Sequence, residues 1–351
     1  ADLLDRSASP LDEAAIGAAL RGKRVLISGA GGSIGSQIAK IVARFAPASL
    51  LLMERSENAL FEIDRVIAQG HPALRRRALL HDVTDAARTF NLLQELRPDV
   101  VFHAAAHKHV PMLEDHPAAA LVNNFFGTRS LADAALACAA ERFVMISTDK
   151  AVNPASVMGA TKRTAELYVQ SLADEGPTRF SIVRFGNVLG SACSVVPIWS
   201  QQLAGGGPLT VTDRRMTRYF MTIPEAASLV IQAATLGGEG APVFVLDMGE
   251  PIRIVAMAER FIRLHHLEPN RDVHIEFTGM RPGEKLHEQL AYDSEDVLST
   301  THPGVRRLRT EQPSAEHVRS MVREFEKLRH SADRGRILMM LRQAVPQMAG
   351  V

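Results

Sequence analysis

Four polar residues, Ser147-Thr148-Asp149-Lys150, close the apolar run Arg142-Phe143-Val144-Met145-Ile146. A carboxyl, an amine and a hydroxyl at adjacent positions supply a general acid in Asp149, a general base in Lys150 if its pKa is lowered, and a hydroxyl relay in Thr148. The same residues also suit a plain helix start with a surface lysine. Further on, Met158 and Lys162 stand at i and i+4 and share one helix face. A thioether cannot take a proton, so any proton transfer beside Lys162 falls to another group.

The surrounding elements decide which reading holds. Lys23-Arg24-Val25-Leu26-Ile27-Ser28 reads as a buried strand, followed by a glycine turn and an amphipathic helix. Further apolar runs end at Glu54, at Asp82-Val83, at the His103 to His107 segment, at Ser147-Thr148-Asp149-Lys150 and near Gly190, with helical stretches between them such as 84–97 and 117–140. Strands alternating with helices predict an α/β fold, a Rossmann-type doubly wound parallel sheet with a smaller mixed C-terminal lobe. The expected division is a cap or linker over 1–21, a dinucleotide-binding domain over 22–186, a substrate lobe over 187–300 interleaved with sheet elements at 222–248, and a helical tail over 301–351. In the tail, Ile337 to Val345 offers an apolar face, read as packed or oligomer-forming rather than membrane-bound.

Gly29, Gly32 and Gly35, spaced three apart between strand and helix, permit a tight turn and bring backbone N–H groups of Gly32, Ser33, Ile34 and Gly35 toward a pyrophosphate. Glu54 ends the next strand, where a carboxylate accepts from ribose hydroxyls and repels a 2′-phosphate, which favours NAD. Arg55 and Ser56 pull the other way, since both bind phosphate. Asp82 and Val83 end the third strand, where a carboxylate meets the adenine amino group. Small Ala104 and Ala105 let the backbone pass close to the cofactor. Beside a dinucleotide, Lys162 becomes a ligand of the nicotinamide ribose that holds a positive field over the site, and the catalytic reading of Thr148, Asp149 and Lys150 gains over the helix cap. His103, His107 and His109 lack an acid or thiol at helical spacing, so no metal is expected.

Composition sets outer bounds. The 351 residues are 46% hydrophobic and 23% charged, with a net charge of +1. This is ordinary globular composition without a nucleic-acid footprint. Cys138 and Cys193 are the only cysteines, which suits a reducing compartment. No apolar run reaches the roughly 18–20 residues needed to span a bilayer. The first residue is Ala1 rather than Met, so a preceding segment is expected.

Several unrelated stretches now carry a resemblance: the spaced glycines, His103-Ala-Ala-Ala-His-Lys-His-Val-Pro-Met-Leu-Glu-Asp-His-Pro117, Ser147 to Arg163, Arg184-Phe-Gly-Asn-Val-Leu-Gly-Ser191, Met216 to Ala226, Val243 to Pro251 and Gly279-Met-Arg-Pro-Gly-Glu-Lys-Leu-His-Glu-Gln-Leu290. Together they resemble the extended short-chain dehydrogenase/reductases of polysaccharide biosynthesis, over about residues 2–295. Within these the chain is most similar to nucleotide-sugar 4,6-dehydratases acting on UDP-N-acetylglucosamine. Such enzymes usually carry Tyr-x-x-x-Lys where this chain has Met158 and Lys162. The subgroup with Met resembles the membrane-anchored, retaining dehydratases, whose catalytic part follows transmembrane helices. The resemblance therefore implies a homo-oligomer on the cytoplasmic face of the inner membrane, anchored only through a segment outside this chain, with tightly bound NAD.

The resemblance also implies a chemistry. The sugar is oxidised at C4, water is eliminated across C5 and C6, and the hydride returns to C6. Asp149 takes the acid role and Lys150 the base role; Thr148 receives or relays the 4-hydroxyl proton under the field of Lys162, and Met158 fills shape. Lys108, His109, Asn187, Arg218, Arg281 and Glu284 fall at substrate positions, with the arginines suited to a diphosphate. One departure is Ala192-Cys193, where the family carries Arg, Asn or Ser and then Gly. A 4-epimerase or an inverting dehydratase is the alternative.

Overall fold

Val25 and Ile27 face one side of the first strand and Leu26 the other, each within a separate hydrophobic cluster. That alternation places the strand between two layers of helices. In this computed structural model, which describes residues 3–4, 9–238 and 240–348, the strands β1 (Arg24–Ser28), β2 (Ser49–Glu54), β3 (Arg76–Leu80), β4 (Val100–His103), β5 (Arg142–Ile146), β6 (Arg179–Arg184), β7 (Val243–Leu246), β8 (Asp296–Ser299) and β9 (Val305–Arg309) make one sheet. Its order is β8-β9-β7-β6-β5-β4-β1-β2-β3, parallel except at β8 and β9. The chain reverses its winding between β1 and β4, which opens a crevice at the carboxyl ends of the strands.

One helix layer, Glu13–Leu20, Ser33–Ala43, Glu57–Gly70 and Ile223–Thr235, covers the Val25 side. The other holds Ala86–Leu96, Gly127–Ala137, Val157–Ser171 and the tail helices Ala315–Leu328 and Arg334–Ala344. The apolar tail face is turned inward, with Ile337, Leu338 and Leu341 buried against the chain's own core. Phe325 from the tail meets Phe125 edge-on at 4.9 Å. A third cluster around Trp199, Leu209, Met257 and Phe261 forms the smaller lobe.

Several elements differ from the sequence expectation. Within 117–140 the helix widens into a π-helical turn, Leu121–Phe126, which buries Asn123 and Asn124. Such a turn is common where a site needs an inward side chain. The sixth strand stops at Arg184, and Asn187–Leu189 leaves the sheet to pair with Phe220–Thr222. The stretch 186–221 contains a helix, Val195–Ala204, that its flanking glycines and prolines hid. The expected boundary at residue 300 does not hold as a break between lobe and helical tail. β8 and β9 straddle it and extend the main sheet, and the three arginines among the five residues of Val305–Arg309 masked the strand. Of the expected cap, residues 1–2 and 5–8 lie outside the described residues, and Glu13–Leu20 packs as a helix on Ile223–Thr235. Among the described residues no helix is long and apolar enough to cross a membrane.

Candidate active site

The cofactor end is built mainly from backbone. Gly29 has φ of +66°, and a Cβ there would lie 2.7 Å from the Ala105 nitrogen. At Gly35 a Cβ would lie 2.1 Å from the Gly29 carbonyl. Side chains at either position are excluded, so the loop packs flat against Ala104 and Ala105 at the end of β4. Gly32, Ser33, Ile34 and Gly35 form the first turn of the helix Ser33–Ala43, whose N-terminus faces the crevice. The Glu54 carboxylate accepts from the Gly31 N–H at 3.2 Å and from the Arg55 and Ser56 N–H groups at 3.0 Å each. It is thereby fixed at the rim of the glycine loop. This cradle fits a dinucleotide.

Beside it lies a cleft of about 410 Å³ lined by Arg55, Ser56, Leu80, His81, Asp82 and Arg88. The Arg55 guanidinium is drawn across to Asn123 Oδ1 at 3.2 Å, to the His107 ring and to Asp82 at 3.9 Å. Partial burial raises Asp82, but the Thr84 N–H and Arg55 outweigh it and hold its carboxyl below the usual range. Val83 packs under the cleft against Gly127. Asn124 braces the wall by accepting from the His107 N–H at 2.8 Å and donating to Thr161 Oγ1 at 3.1 Å.

The Thr148–Lys150 end, expected to do acid–base chemistry, is built from side chains. Backbone bonds from Ser147 N to Val183 O and from Asp149 N to Phe185 O pin the polar turn to β6. Asp149 is fully buried. Its Oδ1 accepts from Thr148 Oγ1 at 2.9 Å and from Lys150 Nζ at 3.0 Å, while Oδ2 faces Gly186 without a hydrogen bond. Lys150 Nζ also donates to Asn187 Oδ1 at 3.1 Å and lies 3.7 Å from Glu288 Oε1. Burial works to lower the Lys150 pKa, yet Asp149 and then Glu288 override it and the net shift is upward. Lys150 therefore rests as an ammonium ion, and the lowered pKa required of a ready base is absent.

Met158 and Lys162 lie one turn apart on the buried helix Val157–Ser171, which Ser156 caps through the Gly159 N–H. Met158 sits in the apolar cluster. Lys162 Nζ donates to Ile146 O at 2.7 Å, and burial, opposed by Glu166, brings its pKa down to about 8. Beneath it Glu166 accepts from Ser147 Oγ at 2.6 Å and pairs with the buried Arg184 at 2.8 and 2.9 Å. Burial alone would raise Glu166; Arg184 holds it at about 2. The Ser147 bond ties the polar turn to the lysine helix, and the ion pair ties that helix to β6.

The positions expected to meet substrate gather less completely. Lys108 Nζ donates to Ala192 O at 2.9 Å and lies 3.4 Å from Ser191 Oγ, and Ala192 N donates to Ser33 Oγ at 3.3 Å. The loop carrying Ala192 and Cys193 thus folds over the glycine turn. His109 starts the next short helix, and burial followed by Lys108 lowers its pKa. Arg218 is buried, with its guanidinium donating to Thr217 O at 2.7 Å and Leu286 O at 3.3 Å. Arg281 stays exposed beside Glu284, whose carboxylate accepts from the Arg281 N–H at 3.0 Å. Sequence reasoning missed Glu288, which lies beside Lys150 and Arg218, and Lys285, which pairs with Glu288 and donates to Val152 O. Their only signal was membership of the Gly279–Leu290 stretch. His103 is buried between Ser28 Oγ at 2.7 Å and Thr128 Oγ1 at 2.8 Å, and burial lowers its pKa to about 3. Among the described residues no three His, Cys, Asp or Glu side chains are placed to hold a metal ion.

Residues 25–310 match the family described as polysaccharide biosynthesis protein. The chain belongs to this family. It is 48% identical over 296 residues to the capsular polysaccharide biosynthesis protein CapD of Staphylococcus aureus, covering 84% of this chain and 49% of CapD. The chain thus spans about half the length of that relative. An inverting UDP-N-acetylglucosamine 4,6-dehydratase of Campylobacter jejuni is 34% identical over 285 residues, 79% of this chain and 80% of the relative. The solved structure of Pen from Bacillus thuringiensis superposes with a TM-score of 0.74 at 32% identity, over 84% of this chain and 88% of Pen. The family member described here has the extended short-chain dehydrogenase/reductase fold.

Proposed function

We propose that this chain is an NAD-dependent nucleotide-sugar 4,6-dehydratase acting on UDP-N-acetylglucosamine, with retention at C5. The observation that carries the reading is the pair of buried Asp149 and partly buried Lys150, 3.0 Å apart at the carboxyl end of β5, on the sheet edge that also carries the glycine loop after β1. A 4-epimerase moves a hydride but removes no C5 proton, so it needs no such pair. Gly29, Gly32, Gly35, Glu54 and Lys162 would hold NAD, which supplies hydride acceptance from C4 and return to C6. The Thr148 hydroxyl relays the 4-hydroxyl proton to water, and the Lys162 ammonium favours its loss. Lys150 as amine takes the C5 proton, and Asp149 as carboxylic acid protonates the leaving 6-oxygen. The Ser191–Ser194 loop, Lys108 and Arg281 face the diphosphate. Met158 in place of an ionisable residue supports the retaining subgroup. A homo-oligomer anchored at the inner membrane by a segment outside this chain belongs to the same reading.

The test is NMR of the product formed from UDP-N-acetylglucosamine in D₂O. Deuterium at C5, with the C4 hydrogen moved to C6 of the same molecule, is expected. UDP-N-acetylgalactosamine without solvent label would replace this reading with the epimerase.

A further inference from the structure

Glu288 follows the loop Gly279–Glu284 and is contributed by the smaller lobe. Its side chain is 3% exposed. Oε1 lies 3.7 Å from Lys150 Nζ and 4.0 Å from Arg218 Nε, and Oε2 lies 3.7 Å from Lys285 Nζ. Oε2 accepts no hydrogen bond within the protein. A carboxylate this deeply buried and this incompletely bonded is a poor stabilising device, because desolvation offsets most of its attraction to the cations. The position serves the lysine instead. Lys150 Nζ has three oxygen neighbours: it donates to Asp149 Oδ1 and Asn187 Oδ1, and Glu288 Oε1 stands 3.7 Å away as an ion-pair partner. Two come from the sheet edge, at β5 and just beyond β6, and the third from the lobe.

We infer that Glu288 is a positioning residue for the acid–base pair, a carboxylate carried in by the substrate lobe that orients the Lys150 ammonium and fixes where its proton rests. The inference deepens the dehydratase reading and rests on its assignment of Asp149 and Lys150. The proton count closes without an outside donor. One proton passes along the 3.0 Å bond from Lys150 Nζ to Asp149 Oδ1, leaving an amine and a carboxylic acid. The amine then takes the C5 proton, the C–H electron pair forms the C5–C6 double bond, and the C6–O bond breaks as the carboxylic acid protonates its oxygen. Water departs and the pair is again ammonium and carboxylate. Glu288 sets how readily the first transfer occurs. The other charged groups around the pair are Arg218, which opposes the ammonium, and Lys285, which faces Glu288.

Glu288→Gln removes an anion that raises Lys150, so the ammonium should lose its proton at lower pH. In protein labelled with [¹⁵N]lysine, the Lys150 Nζ signal, assigned by its loss in Lys150→Met, should titrate at least about one pH unit below the parent. Glu288→Asp, with the charge kept but withdrawn, should lie between the two and gives the same ordering if the glutamine variant does not fold. The alkaline, descending limb of kcat against pH should move to lower pH with it, because loss of the shared proton leaves no acid for the 6-oxygen, with KM little changed. A midpoint unmoved in both variants, or a kcat loss equal at every pH, would overturn the inference. The titration needs no turnover. Absence of C5 deuterium in the parent product would therefore remove the dehydratase reading while the effect of Glu288 on Lys150 was still measured.

Discussion

Gly35 and Asp149 stand on the same carboxyl edge of one sheet, yet different forces hold them there. Around Gly35 the restraint is steric: a Cβ at Gly35 would meet the Gly29 carbonyl, one at Gly29 would meet Ala104 and Ala105, and one at Gly31 would meet Ala59. Around Asp149 the restraint is electrostatic and long-range. Its partners Thr148 and Lys150 are neighbours in the chain, but the charges that set the pair come from Arg218 and Glu288 in the other lobe. The glycine loop is held by close backbone approach, and the Thr148–Lys150 turn by hydrogen bonds and charge. A backbone cradle suits a cofactor whose pyrophosphate must be held in place, and a charge cluster suits groups that exchange protons within a cycle.

The largest effect should come from breaking the cradle. In Gly35→Ala the new Cβ would meet the Gly29 carbonyl at 2.1 Å. Neither atom belongs to a flexible side chain, so the loop must open. Overpacking of this kind typically costs about 1–3 kcal/mol or more. The variant should lose bound nucleotide, melt at lower temperature than the parent and show no turnover. Extraction and identification of the nucleotide reads this directly. The parent should yield NAD(H), and retention of NAD(H) by the variant would show that the cradle is not the cofactor site.

The contrast also explains what was legible in the sequence. Gly29, Gly32, Gly35 and Glu54 could be read because their work is done within one strand–turn–helix unit, where spacing fixes geometry. Thr148, Asp149 and Lys150 could be read as a group because they are adjacent. Their protonation could not be read. The lowered Lys150 pKa needed for a ready base gives way to a raised one, through the neighbouring Asp149 first and then through Glu288, which the sequence does not place beside it. Arg55 looked free to bind a phosphate, but it is turned toward His107, Asn123 and Asp82, and two of those lie on other elements of the sheet edge. Arg218, expected at the diphosphate, donates through Nη1 to two backbone carbonyls that the sequence does not place beside it. Type and spacing name a residue's capacity; the distant partner decides its state.

Breaking the charge cluster while sparing the cradle should give the next largest effect. Asp149→Asn keeps the shape but supplies no proton, and Lys150→Met keeps the length but removes the base. Each should lower dehydration by about 100-fold or more, a typical contribution of general acid–base groups. Both should still co-purify with NAD(H), because neither touches the glycine loop. Turnover within a few-fold of the parent in either variant would remove the pair from the mechanism. Loss of nucleotide in both would show that the two regions are not separable.

The smallest effect should come at Met158, which lies at the seam between them. Its side chain is 4% exposed and packs within the apolar cluster, one helical turn before Lys162. A thioether gains and loses no proton, so its contribution is volume. Met158→Leu conserves that volume and should cost under about 1.5 kcal/mol of stability, with kcat falling less than about tenfold. Thr148→Val supplies the contrast, because it also conserves volume but removes the hydroxyl that donates to Asp149 at 2.9 Å. Its defect should be much larger and should appear in the first step, as failure to reduce bound NAD⁺ when substrate is added. Absorbance near 340 nm in a single turnover separates the two. Equal defects in both variants would mean that packing around the lysine helix, rather than the Thr148 relay, governs the proton transfer at C4.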